Sequence, residues 1–149
     1  MYLLDTNVVS ELRKAGVGRA NPAVVRWAST VDAADLYISV ITIMEIEIGI
    51  LRLSRRDRAQ GKTLKKWLER QVLTAFADRI LPVDLEVALR CAQMLVPDPK
   101  ADRDALIAAT AQVQGFTVVT RNTADFRTTG VNLFDPWSHT SSQTSPTDI

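Results

Sequence analysis

The chain has 149 residues, 46% hydrophobic and 23% charged, with a formal net charge of +1 at pH 7. These proportions fit one ordinary globular domain with a sizeable core. A single cysteine, Cys91, and a single histidine, His139, exclude an internal disulfide, a cysteine zinc cluster and histidine-based triads or zinc sites. No apolar run approaches a membrane span, and Met1 leads straight into a strand with no basic segment and apolar leader core, so the expected compartment is the cytoplasm, without a membrane partner.

In chain order, Leu3-Leu4-Asp5-Thr6-Asn7 reads as a buried strand, near 2–5, that delivers a carboxylate to the start of a helix near 7–13. Gly16, Gly18 and Asn21-Pro22 mark a turn, with Pro22 suited to the first turn of a helix near 22–31. A β-rich run, Tyr37 to Ile41, is followed at once by Thr42 and Glu45 and by helices near 43–54 and 57–76, with Gly61 read as an interruption between them. After a strand near 80–83, a helix near 84–96 is ended by Pro97, Asp98 and Pro99, because two prolines cannot continue its hydrogen bonds. Asp102 and Asp104 open a helix near 103–114 that is apolar around most of its circumference and is expected to be deeply buried. Gly115 stands where a helix ends, strand 116–120 follows, then Arg121-Asn122-Thr123-Ala124-Asp125-Phe126, and a last strand lies near 131–134. This alternation predicts an α/β fold, a mostly parallel central sheet of about five strands with helices on both faces. The domain is expected to span 1–137, and the polar run 138–149 is expected to be a disordered tail.

The acids recur at equivalent places. Asp5, Glu45 and Asp104 each follow a strand end or open a helix, and ligands of open α/β sheets bind at the carboxyl ends of strands. Each has a plain structural reading as well. Asp5 can cap a helix, Thr42-x-x-Glu45 matches a capping box, and Asp102 and Asp104 can complement a helix dipole.

Four segments together resemble the PIN domain, more narrowly the VapC/FitB type of toxin ribonuclease: Leu3 to Leu12, Ser39 to Ile50, Asp104 to Ala111 and Val118 to Phe126. The closing Phe134-Asp135-Pro136-Trp137 is similar too, so the resemblance covers nearly the whole chain. It implies that the acids converge on one metal site. Carboxylates suit Mg²⁺ or Mn²⁺, which can activate an attacking water and offset charge on a phosphodiester. The implied activity is therefore metal-dependent endoribonuclease action, as the toxin of a type II toxin–antitoxin pair. The implied partners are RNA, a small cognate antitoxin and a second copy of the chain, as a homodimer or a dimer of dimers with antitoxin. Asp5, Glu45 and Asp104 match the family's first three acids and are the expected metal ligands. The fourth position is open between Asn122, which stands where close relatives often carry an acid, and Asp125 one turn on. Thr6 and Asn7 are placed to orient Asp5 or bind water, or only to cap the helix, and Arg13, Arg103 and Arg121 to grip phosphate; Arg103 and Arg121 have Asp102 and Asp125 as alternative partners.

The net charge hides an asymmetry. Arg52 to Arg70 carries eight basic residues against Asp57 and Glu69, a local +6 that leaves −5 for the rest. That segment is either a polyanion-facing patch or a solvated helical hairpin. Trp27 and Trp67 fit helix faces and are expected to pack, and Trp137 to anchor the last strand. Two competing functions follow from the same residues. A noncatalytic PIN-like module that binds nucleic acid or protein is motivated by the uncharged Asn122. A phosphatase with Asp5 as nucleophile is disfavoured, because Asn7 stands where the haloacid-dehalogenase family carries its second acid.

Overall fold

The structure, a computed structural model, describes residues 1–139. Five strands form one sheet in the order β3-β2-β1-β4-β5: β1 Tyr2–Leu4, β2 Leu36–Ser39, β3 Ile80–Leu81, β4 Thr117–Val119 and β5 Leu133–Phe134. All four pairings are parallel, with Leu4 beside Val119 and Leu3 beside Tyr37. Among the described residues seven helices cover it: α1 Thr6–Arg13, α2 Pro22–Thr30, α3 Val40–Ser54, α4 Arg58–Trp67, α5 Leu85–Leu95, α6 Asp102–Gln114 and α7 Thr123–Phe126. The expected tail lies outside the described residues, apart from its first two positions.

Strand residues alternate between two cores, as a period of two requires. Leu4, Ile38 and Val119 join Val8, Trp27, Ile46 and Ile50 on one face. Leu3 and Val118 join Ile107, Ala108, Ala111 and Phe126 on the other. The expected burial of the helix after Asp104 is present, since Ala105, Ile107, Ala108, Ala109 and Ala111 are fully enclosed. Its small side chains let the backbone of α6 lie close against the sheet.

Three local features differ from the sequence expectation. β2 stops at Ser39, where the Ser39 hydroxyl accepts a bond from the Ile41 amide at 3.0 Å and starts α3 at Val40. The helix therefore begins three residues early, and Thr42 lies inside it. Gly61 does not interrupt the hairpin. Asp57 caps α4 instead, and a methyl group at Gly61 would meet the Ser54 backbone at 2.9 Å, so glycine permits the close crossing of α3 and α4. After Trp67, α4 runs on through a π-helical turn, Leu68–Val72, into a last turn, Leu73–Ala75.

Candidate active site at the sheet switch point

The chain lays β2 and β3 on one side of β1 and then returns to lay β4 and β5 on the other. Connections diverge at the carboxyl ends of β1 and β4, which leaves a crevice there. Helices that follow or precede parallel strands have their N-termini on that same edge. Asp5 after β1, the first turns of α3 after β2, and the first turn of α6 before β4 consequently all face it.

Asp5 is buried, 5% exposed, and thoroughly held. Its Oδ1 accepts the Thr6 amide at 2.8 Å, while Oδ2 accepts the Thr120 hydroxyl at 2.8 Å and the Asn7 side-chain amide at 3.2 Å. It also caps α1, so its structural and site readings coexist. Thr6 spans two acids: its amide serves Asp5 and its hydroxyl donates to Glu45 Oε1 at 2.7 Å. Asn7 accepts the Arg121 amide at 3.2 Å, which ties the ends of β1 and β4 together.

The capping-box reading of Thr42 and Glu45 does not hold, because Ser39 caps α3 and Glu45 projects from beyond its first turn toward Thr6. Arg103 lies 3.7 Å from Glu45 Oε2 and makes no ion pair with Asp102. Asp102 is exposed, and its charge acts on buried Cys91, whose thiol pKa is pushed up first by burial and then by that charge. Arg121 stacks its guanidinium 5.3 Å from the Trp137 ring, with no ion pair to Asp125 among the described residues.

Electrostatics tie the acids together. Burial raises the pKa of Asp5, the Thr120 and Thr6 bonds oppose that, and the charge of Glu45 raises it further. Asp104 is pushed up to about 6, first by burial, then by the charges of Asp5, Asp125 and Glu45, with Arg103 opposing. Asn122 is exposed; its amide donates to the Thr120 hydroxyl at 3.0 Å, and it caps α7 without a side-chain bond. Of the two residues considered for the fourth position, Asp125 is thus the one whose charge reaches Asp104.

Thr120, which the sequence marks only as the end of a strand, is a principal partner of Asp5. The signal was the parallel register. Val119 pairs with Leu4, so the next residues, Thr120 and Asp5, emerge side by side.

The donor set suits a hard divalent ion. A carboxylate offers about four acceptor sites, and three on Asp5 are filled, which leaves it one for a further ligand. Among the described residues, no group of three or more His, Cys, Asp or Glu side chains is arranged to hold a metal by itself. The residues fit Mg²⁺ held through one or two carboxylates with its own waters retained. They fit a phosphorylated nucleophile poorly, since both Asp5 oxygens already accept from fixed donors.

Residues 2–132 match the PIN-domain family. The chain is 37% identical over 145 residues to the VapC ribonuclease Y4jK of Sinorhizobium fredii, covering 92% of this chain and 98% of that one. It is 37% identical over 142 residues to the toxin FitB of Neisseria gonorrhoeae, covering 92% and 99%. The crystal structure of FitAcB from that organism superposes with a TM-score of 0.82 at 38% identity, over 93% of this chain and 99% of that one. A toxin–antitoxin complex from Klebsiella pneumoniae superposes with a TM-score of 0.63 at 26% identity, over 91% and 98%.

Proposed function

This chain belongs to the PIN-domain family, and on that premise we propose that it is a metal-dependent endoribonuclease, the toxin of a type II toxin–antitoxin pair, acting in the cytoplasm. The observation that carries the reading is the bridge made by Thr6, whose amide and hydroxyl hold Asp5 and Glu45 at one edge while Asp104 feels the charge of both. Four carboxylates opposed by one arginine favour a cation. The names of the relatives, a VapC ribonuclease and a FitB toxin, support the same reading.

Asp5, Glu45 and Asp104 would hold Mg²⁺ or Mn²⁺, which supplies an activated water and offsets charge on the scissile phosphate. The remaining steps belong to the chain. Thr120, Asn7 and the Thr6 amide fix the rotamer of Asp5, and Thr6 fixes Glu45. Asp125 supplies the fourth acidic position and Asn122 a neutral amide at the rim. Arg13 and Arg121 are the residues we assign to phosphate. Among the described residues, no helix is long and apolar enough to cross a membrane. Exposed Val40, Met44 and Leu51 on α3 and Leu85 and Leu89 on α5 supply apolar area for a homodimer or for the antitoxin, and the Klebsiella pneumoniae complex supports such a partner.

The test is cleavage of total cellular RNA by protein purified under denaturing conditions and refolded, which frees it of antitoxin. Mg²⁺, Mn²⁺ and EDTA are compared, with Asp5→Asn beside the wild type. Discrete fragments that require both metal and Asp5 are expected. A folded, metal-binding protein that cleaves no RNA would replace the enzyme by the noncatalytic module.

A further inference from the structure

We propose that Trp67, with Arg13 and Arg56, forms a nucleotide subsite beside the acids that takes an unpaired base of the RNA; this rests on the ribonuclease reading above. A groove of about 320 Å³ begins at Thr6 and Glu45 and ends at Arg56 and Trp67, with Arg13 along its side. It therefore joins the acidic crevice to the strongly basic segment. Trp67 and Arg13 also line two adjoining cavities, of about 200 Å³ and about 400 Å³, the second reaching Lys66 and Arg70. The Arg13 guanidinium lies 5.8 Å from the Trp67 ring centre.

The expectation that Trp67 simply packs is half met. Part of it rests on the core beside Leu64 and Phe76, but it is only partly buried and the rest borders the grooves. Trp27, by contrast, is committed to the core, being 4% exposed. Directly after Trp67 the helix widens into its π turn, a distortion that recurs at functional sites.

Charge decides the occupant. Arg13, Arg56, Lys66 and Arg70 have no carboxylate within 4.0 Å among the described residues, whereas Lys14 and Lys65 nearby are paired. Four cations without a carboxylate partner among the described residues, lining the same cavities as Trp67, match a phosphate backbone with a base turned out of it. The base has to be unpaired, because only an unstacked base presents its face to a side chain. A subsite joined to the acids by this groove would select single-stranded loops, with Arg13 and Arg56 holding phosphates near the cleaved one.

The experiment uses the full chain in EDTA, where no turnover occurs. Tryptophan fluorescence is titrated with a short single-stranded RNA and with the same RNA annealed to its complement. We expect quenching by the single strand, much weaker quenching by the duplex, and loss of the signal in Trp67→Phe. Arg56→Ala, an exposed change that leaves packing alone, should weaken binding several-fold. In metal-supported cleavage of a short RNA containing the cut site, Trp67→Ala should raise KM roughly tenfold with kcat little changed, as expected for loss of a stacking contact. Quenching that persists in Trp67→Phe, or a wild-type KM in Trp67→Ala, would overturn the subsite. So would unchanged RNA binding combined with lost inhibition by the cognate antitoxin, which makes the groove a protein site. If the wild type cleaves nothing, the ribonuclease reading fails and the quenching titration still decides the subsite.

Discussion

Replacing Asp104 with asparagine should stabilise the metal-free protein at neutral and higher pH, although it removes a carboxylate from a helix start. Asp104 is raised from an ordinary 3.8 to about 6 by burial and by three neighbouring acids. For such a group, stability is fully present below the unfolded value and is lost as pH rises through the folded one. The loss therefore develops between about pH 4 and pH 6 and is complete above it. Two units correspond to about 3 kcal/mol at most, and solvent screening at this half-buried position reduces that to about 1–2 kcal/mol. Against it stands the lost complement to the dipole of α6, about 0.3–1 kcal/mol, part of which Asp102 in the same turn retains. The net gain for Asp104→Asn is about 1 kcal/mol near pH 8, a rise in Tm of about 2–4 °C for a domain of this size. Thermal unfolding in EDTA at several pH values reads it directly, and the advantage should vanish toward pH 4. Millimolar Mn²⁺ should then reverse the order if Asp104 is the metal ligand we propose, because the variant would lose that ligand. A pH-independent difference, or a variant less stable than wild type at pH 8 in EDTA, would refute the electrostatic account of this cluster.

Three further outcomes follow from the geometry. Thr120→Val removes a 2.8 Å hydrogen bond to buried Asp5 and should cut cleavage or metal affinity about 10–100-fold, as loss of a partner behind a metal ligand does, read by steady-state kinetics and Mn²⁺ calorimetry. Asp125→Asn should lower the pH at which Asp104 titrates, followed by carboxyl NMR, and should reduce activity more than Asn122→Ala, because of these two residues Asp125 alone places charge on Asp104. Gly61→Ala should destabilise the protein by about 1–2 kcal/mol in urea unfolding, since the overlap with the Ser54 backbone outweighs the roughly 1 kcal/mol helix-propensity gain.

What the sequence made legible was the level at which each acid leaves the sheet. A run such as Leu3-Leu4-Asp5 has one buried solution, a strand whose end is marked by the first charge, and the same logic located Asp104 at a helix start. Cap competition was harder. Ser39 and Thr42 are both good caps, and only the pairing of Ser39 with Leu81 in the sheet shows that the strand ends there, which frees Glu45 from a capping box. The hairpin of α3 and α4 misled for a related reason. Glycine in a helix signals either a break or a close approach, and the difference lies in Ser54, seven residues earlier in the chain.

The fourth acid shows where one-dimensional reading ends. Asn122, which the resemblance suggests for that position, lies three residues beyond β4, and its backbone does join the network through Thr120. Its neutral side chain, however, cannot add charge. The charge that does reach Asp104 comes from α7, a single turn from Thr123 to Phe126 that no periodicity could announce because it is shorter than two turns. Phe126, fully buried against α6, pins that turn, and Asp125 is carried beside it at the rim within Coulombic reach of Asp104. An apolar anchor thus determines where a charge acts. Phe126→Ala should therefore impair the site through Asp125 as well as the core, and the two effects separate by measuring Mn²⁺ affinity at a temperature where the variant remains folded.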